Sequence, residues 1–255
     1  MRAAARLKLL MRGVLVNPTD DHAKPWETTR RGLLLLVSSP AGAGKTSLTR
    51  TLVADHDSLM LSISATTRAP RPGEEEGREY YFKTRDQFEA MIAAGEFLEW
   101  ATVNGNYYGT PKGPVMAALD AGHDVIFDID WQGAQQVADR APEDSVRVFI
   151  LPPAWGDLER RLKARAQDTE EIMIQRLALG QEEIRHWDRY DYVIVNKSFD
   201  RAYADLSHIY RAERMKPARN AWLPGFVAGL LAEAAGDHDP TGAPPRTALM
   251  RPVQK

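Results

Sequence analysis

The chain has 255 residues, 44% hydrophobic and 27% charged, which suits one large α/β domain or a core with small inserted subdomains. Its 33 Lys and Arg nearly balance 35 Asp and Glu, and a net charge of −2 provides no global field to gather nucleic acid or a membrane surface. There is no Cys for disulfides or thiolate chemistry, no apolar run as long as a membrane span, and the six His show no close pairing at metal-ligand spacing.

Residues 1–31 begin with Arg2, Arg6, Lys8 and Arg12 and no acid before Asp20. Lys8 and Arg12 interrupt the apolar stretch that a secretory signal needs, and Ser is too scarce for a transit peptide. A poorly ordered extension is expected there. Leu33–Val37 is apolar throughout, as a strand covered on both faces should be. It leads into Ser39-Pro40-Ala41-Gly42-Ala43-Gly44-Lys45-Thr46. Beyond that loop, Leu48, Leu52 and Val53 share one face of a predicted helix.

Strand, loop and helix in this order form a phosphate-binding loop, with Ser39 where the strict pattern has its first Gly. The chemistry follows from the residue types. Small residues let backbone N–H groups curl round an anion, and the helix start offers unpaired amides and the positive end of its dipole. Lys45 adds a mobile charge for the β- and γ-phosphates, and the Thr46 hydroxyl can ligate the accompanying Mg²⁺. Ser47 continues the loop into the helix.

Further strands are expected at Leu59–Ser64, Asp124–Asp128, Arg147–Leu151 and Tyr192–Val195, alternating with helices as in a parallel sheet with right-handed crossovers. The span from Ser64 to Asp124 is too long for one crossover. It contains the aromatic cluster Tyr80-Tyr81-Phe82, a helix opened by a Thr84/Gln87 capping box, the strand Phe97–Val103 and the turn Asn104-Gly105-Asn106. Residues 65–113 are therefore read as an inserted subdomain with strands of its own. Pro152–Glu183 is charged and helical, and is read as a mobile flap. Phe199–Arg214 is a helix docked through Phe199, Ala202, Leu206, Ile209 and Tyr210. The last residues, 233–255, are rich in Pro and Gly and are expected to form a disordered tail.

The expected fold class is α/β: a three-layer phosphate-loop core on a five-stranded parallel sheet, an inserted mixed α+β subdomain at about 65–113 and a helical lid at about 152–183, all within a domain at 32–232.

Several blocks resemble guanylate kinases. They are Ser64-Ala65-Thr66-Thr67-Arg68-Ala69-Pro70-Arg71-Pro72-Gly73, Glu79-Tyr80-Tyr81-Phe82, Gly95-Glu96-Phe97-Leu98-Glu99-Trp100 and Gly105-Asn106-Tyr107-Tyr108-Gly109-Thr110. Asp128-Ile129-Asp130-Trp131-Gln132-Gly133 and Val193-Ile194-Val195-Asn196 extend the match over about residues 32–215. The resemblance implies a cytoplasmic enzyme that moves the γ-phosphoryl group of ATP to GMP with Mg²⁺, in purine metabolism. It implies an acceptor-binding subdomain at 65–113 and a lid at 152–183.

Within that resemblance Arg68, Arg71, Tyr80 and Tyr108 hold the GMP phosphate. Paired arginines suit this role because a guanidinium forks onto phosphate bidentately. Glu99 reads guanine, whose adjacent N1–H and N2 amino donors a carboxylate accepts together; adenine lacks both. Ser64 and Thr110 add hydroxyl contacts to the base, and Asp130 is a further candidate on the GMP side. Arg165 and Arg176 match the lid arginines, and Asn196 matches the residue that meets adenine. Asp128, at a strand end facing the loop, is a candidate to hold a magnesium-bound water. Arg161 is read either as a third member of the arginine cluster or as a helix-surface charge.

Three other readings compete. An interaction module that has lost turnover would lack the intact Gly44-Lys45-Thr46. A kinase for a ribose phosphate would not need Glu99 with Tyr80 and Tyr108. A nucleotide-driven switch would need no acceptor block.

Overall fold

The computed structural model describes residues 30–163 and 170–235. The chain divides into two compact units. The larger spans Thr29–Ala221 and holds both sheets. In the smaller, the helix α8 (Leu223–Ala234) begins with Pro224 in its first turn and exposes Val227, Leu230 and Leu231. The expected extension falls outside the described residues except for Arg30 and Arg31, and the expected tail except for residues 233–235.

The main sheet is parallel, in the order β2-β7-β1-β8-β9, from β1 (Leu34–Ser38), β2 (Leu59–Leu61), β7 (Asp124–Asp128), β8 (Ser145–Leu151) and β9 (Tyr192–Val195). Four of the five predicted strands are found, and the first part of the remaining one, Leu59–Ser64, forms β2. Every residue of β1 is buried because alternate side chains enter different cores. Leu35 and Val37 pack with Leu48 and Leu52 of α1 (Lys45–Asp55) and with Ala202, Leu206 and Tyr210 of α7 (Phe199–Arg214). Leu34 and Leu36 pack with Val115 and Leu119 of α3 (Lys112–Asp120) and with Ala134 and Val137 of α4 (Trp131–Arg140). This is the three-layer core expected. On α7 the predicted docking stripe holds for Ala202, Leu206 and Tyr210, whereas Phe199, in the first turn, is 42% exposed.

One break in a predicted strand separates the core from the insert. The predicted strand Leu59–Ser64 is two strands: β2 ends at Leu61, and β3 (Ser64–Thr66) enters a second sheet. The apolar run hides the break because both pieces are buried in part, each in a different core. The second sheet is mixed, in the order β4-β3-β6-β5, with β4 (Tyr80–Phe82), β5 (Phe97–Val103) and β6 (Asn106–Pro111). Its hairpin turns at Asn104 and Gly105, with φ of 49° and 78°, the left-handed pair that Asn-Gly favours.

The helix α2 (Arg85–Ala93) covers this sheet. Its capping box is present: Gln87 N–H donates to Thr84 Oγ1 at 3.2 Å, and Thr84 N–H donates to Gln87 Oε1 at 2.9 Å. Phe88 of α2 stacks on Phe97 at 4.3 Å and on Tyr107 at 5.2 Å, forming a small core with Ala65. Between β8 and β9 lie two helices, α5 (Trp155–Lys163) and α6 (Glu170–Ile184).

Candidate active site

The phosphate loop leaves the C-terminal end of central β1 and enters α1, the switch point at which open α/β sheets bind ligands. Gly44 is the N-cap of α1, with φ of 101°, a conformation that side-chain-bearing residues rarely adopt. A Cβ at Gly44 would also lie 2.5 Å from Asn196 Nδ2, so close packing demands glycine there as well. Gly42 has φ of 91°, and Ala43 N–H bonds to Pro40 O at 3.1 Å, closing the loop. Ser39, in the place of the first Gly, is buried, and its hydroxyl donates to Pro40 O at 3.1 Å. The position tolerates a side chain because that hydroxyl is satisfied locally.

Lys45 and Thr46 converge on the end of β7. Lys45 Nζ lies 2.6 Å from Asp128 Oδ1 and donates to Ile129 O at 2.9 Å. Thr46 Oγ1 donates to Asp128 Oδ2 at 2.8 Å. β1 and β7 are neighbours, with Val37 opposite Asp128, and this register delivers the carboxylate to the loop. Ser47 is exposed at the first turn of α1.

Asn196, just past β9, is buried and donates from Nδ2 to Ala43 O at 2.8 Å. Arg161 of α5 reaches the same carbonyl at 3.4 Å and Asn196 O at 3.2 Å. Between the two readings of Arg161, this geometry places it against the loop. Arg176 lies on α6, and Arg165 falls outside the described residues.

The second sheet gathers the remaining predicted residues. A register shift between Phe97 and Glu99 sets Glu99 directly opposite Thr110, where Thr110 Oγ1 donates to Glu99 Oε1 at 2.6 Å. Ser64 Oγ lies 3.4 Å from Thr110 Oγ1. Burial pushes the Glu99 carboxyl above its ordinary range, and the Thr110 hydroxyl opposes this by stabilising the anion. The half-buried Glu99 and Ser64 and the buried Thr110 thus form a compact acceptor-rich corner.

Arg68 forms a bidentate pair with Glu74, at 3.0 and 2.8 Å, and lies 5.4 Å from the Tyr80 ring centre. The Tyr80 and Tyr108 rings meet edge to face at 6.0 Å. Glu74 also accepts Arg71 N–H at 2.7 Å, and its carboxyl is held below the ordinary range chiefly by Arg68. Arg71 is exposed beside this pair. Asp130 caps α4 by accepting Gly133 N–H at 2.8 Å, which gives this carboxylate a structural task.

Three residues join the site that the sequence reading missed. Glu74 follows the Arg68-Arg71 pair closely enough to be its counter-ion, a signal available in the sequence. Gln136 of α4 bonds both backbone groups of Trp100, at 3.3 and 3.2 Å, fastening β5 to the core beside Glu99. Glu183, near the C-terminal end of α6, is pushed up to about 7 by burial, with Lys45 and the Ala41 amide opposing the rise. For Gln136 and Glu183 only the tertiary fold supplies the clue.

Fold and loop together define the class: a phosphate-loop kinase with a parallel core and an inserted acceptor subdomain. Residues 31–213 match the family model described as guanylate kinase, and the chain belongs to the guanylate kinase family. It is 58% identical over 203 residues to a guanylate kinase of Caulobacter vibrioides, covering 80% of this chain and 95% of that one. A guanylate kinase of Maricaulis maris is 54% identical over 214 residues, covering 84% and 98%. Among solved structures, guanylate kinase from Anaplasma phagocytophilum aligns with a TM-score of 0.59 and 37% identity, over 75% of this chain and 90% of that one.

Proposed function

We propose that this chain performs the ATP:GMP phosphotransfer of its family with Lys45 and its loop as the donor site and Glu99, Arg68, Arg71, Tyr80 and Tyr108 as the acceptor site. The observation that carries the acceptor reading is the Glu99–Thr110 pair on adjoining strands, with Ser64 beside it. Glu99 accepts both guanine donors, and Thr110 and Ser64 orient the carboxylate and add base contacts. Adenine would leave that carboxylate unpaired, which is how a site rejects an analogue lacking the bonded groups. Asp130 remains a secondary GMP-side candidate through its place near Glu99.

On the donor side, amides of Ala41 to Thr46 and the start of α1 surround the phosphates, with Ser39, Pro40 and Ser47 shaping the loop's two ends. Lys45 exchanges Asp128 for phosphate oxygens. Asn196 holds the loop through Ala43 and borders the adenine side. Arg176 and Arg165 are the proposed lid arginines, which stabilise charge on the transferring group as water is excluded. No general base is needed, because the acceptor is already an anionic phosphate oxygen.

Thr46 and Asp128 fit Mg²⁺: a hydroxyl and a carboxylate 2.8 Å apart are hard oxygen donors. Among the described residues no cluster of three or more His, Cys, Asp or Glu could hold a metal, which suits an ion that takes most ligands from water and substrate phosphates. Thr46 and Asp128 would hold the ion, which would supply charge neutralisation for the nucleotide phosphates. Residues 32–232 are assigned to the kinase domain, with acceptor subdomain and lid as above, and the cytoplasm as its compartment. No helix of the described residues is long and apolar enough to cross a membrane.

The test is a coupled assay with ATP, Mg²⁺ and each of GMP, AMP, UMP, CMP and dTMP. Turnover with GMP alone is expected; activity on none of them would overturn the proposal.

A further inference from the structure

The helix α4 starts at the donor site and ends at the acceptor site. Asp130 caps its first turn, and the two residues before that cap, Asp128 and Ile129, hold Lys45. Towards its other end, Gln136 and Arg140 reach β5 on either side of Glu99. Gln136 Oε1 accepts Trp100 N–H at 3.3 Å, and Gln136 Nε2 donates to Trp100 O at 3.2 Å. Arg140 Nη1 donates to Leu98 O at 2.8 Å. It also donates to Gln136 Oε1 at 3.4 Å, which fixes the way the amide faces. Leu98 is fully buried in the main core with Ala134 and Val137 of α4, whereas Phe97 and Trp100 belong to the small core of the insert.

β5 is the last strand of the mixed sheet, so its outward backbone groups need partners that a strand does not supply. Matched spacing lets α4 supply them. Gln136 and Arg140 are four apart on one helix face, about 6 Å along the axis. Leu98 and Trp100 are two apart on the strand, roughly 7 Å. A side-chain amide carries both a donor and an acceptor, as a peptide group does, so Gln136 stands in for a neighbouring strand at Trp100. On the inner edge, β6 lies so close that a Cβ at Gly109 would be 2.7 Å from Glu99 O, and Thr110 bonds the carboxylate. Glu99 is therefore placed by β6 from one edge and by α4, through both of its chain neighbours, from the other.

We propose that Gln136 and Arg140 are positioning residues for guanine recognition: they tie the two residues that flank Glu99 to α4, so that one helix sets where the base-reading carboxylate stands relative to Lys45 and the donor loop. This rests on the reading of Glu99 given above. Both residues act through Glu99 without touching the nucleotide, so their loss should weaken GMP and spare ATP. Methionine at 136 keeps the length and packing of glutamine and removes only its hydrogen bonds. Lysine at 140 keeps a donor for Leu98 O.

The test is a double-mutant cycle on steady-state constants: wild type, Gln136→Met, Glu99→Gln and the double variant, with melting temperatures of all four. Gln136→Met is expected to raise the KM for GMP about 5- to 10-fold, as when one hydrogen bond to the base is misaligned, with the KM for ATP within about twofold. In the Glu99→Gln background the same substitution is expected to cost a smaller factor, because the residue it positions is already impaired. Arg140→Ala repeats the test at an exposed position that leaves the core intact. It is expected to raise the KM for GMP about threefold or more, and Arg140→Lys to restore it. A GMP KM unchanged in Gln136→Met or in Arg140→Ala overturns the proposal. So does an equal rise in both KM values with a lowered melting temperature, which marks a purely structural role. An equal or larger factor in the Glu99→Gln background overturns it too, since Gln136 would then act by another route. Inactivity of the wild type toward GMP, or a Glu99→Gln indistinguishable from it, would instead refute the functional reading itself.

Discussion

Glu99→Gln is the sharpest probe of the acceptor site. The carboxylate lies on β5 opposite Thr110 and takes its hydroxyl at 2.6 Å, half-buried and within a site closed by Ser64. Guanine would donate N1–H and N2–H to it. In the variant, the amide oxygen still accepts one donor, while its NH₂ faces the other. One charge-assisted hydrogen bond is lost and the survivor falls to neutral strength. Bonds to charged groups are worth about 1.5–3 kcal/mol net and neutral ones about 0.5–1.5 kcal/mol. Losing the first costs about 1.5–3 kcal/mol and weakening the second about 1–1.5 kcal/mol, so the expected loss is about 2.5–4.5 kcal/mol, roughly 70- to 2,000-fold in GMP affinity. The backbone should be undisturbed, because the amide is isosteric and Thr110 can still donate to its oxygen. Burying a neutral group also costs less than burying a charge, so the melting temperature should hold or rise. Calorimetric titration with GMP and AMP reads the effect. A change in GMP affinity below about threefold would remove Glu99 from base recognition, since even one neutral hydrogen bond exceeds that on average.

Three other expectations follow from the same geometry. Lys45→Ala should abolish turnover while leaving GMP binding by calorimetry intact, because Lys45 contacts Asp128 and Ile129 on the donor side; equal loss of both would indicate misfolding. Arg68→Ala should mainly raise the KM for GMP, and Glu74→Gln should do so less, since Glu74 only orients the guanidinium; an effect confined to ATP would refute the assignment. At Glu183 burial raises the folded-state pKa from 4.5 to about 7, so its contribution to stability is full below about pH 4.5 and is lost as the pH rises through about 7. Glu183→Gln does not titrate, so it should gain on wild type across that window, by roughly 1–2 kcal/mol after allowing for partial solvent screening. Denaturant midpoints at pH 5 and 8 check this; a gap that narrows with rising pH would contradict the burial argument.

Much of this protein is legible in its sequence because the signals are local. The all-apolar run at Leu33–Val37 demands cover on both faces, and β1 has it. Gly44-Lys45-Thr46 after that run specifies the loop, since φ of 101° at Gly44 is a backbone property that side chains forbid. Thr84 and Gln87 announce the start of α2 through their own hydrogen bonds. The Asn104-Gly105 turn is equally local. The tertiary structure decided what depends on residues far apart in the chain. Whether Leu59–Ser64 is one strand or two turns on which sheet each half joins. The opposition of Glu99 and Thr110 depends on a register shift that no alternation pattern reveals. Asp128 meets Lys45 and Thr46 only because β7 pairs with β1, and Gly180 lies over Pro40 only because α6 packs on the loop. Local conformational preference is written residue by residue, whereas the distance between two side chains is settled by register and packing across the whole core.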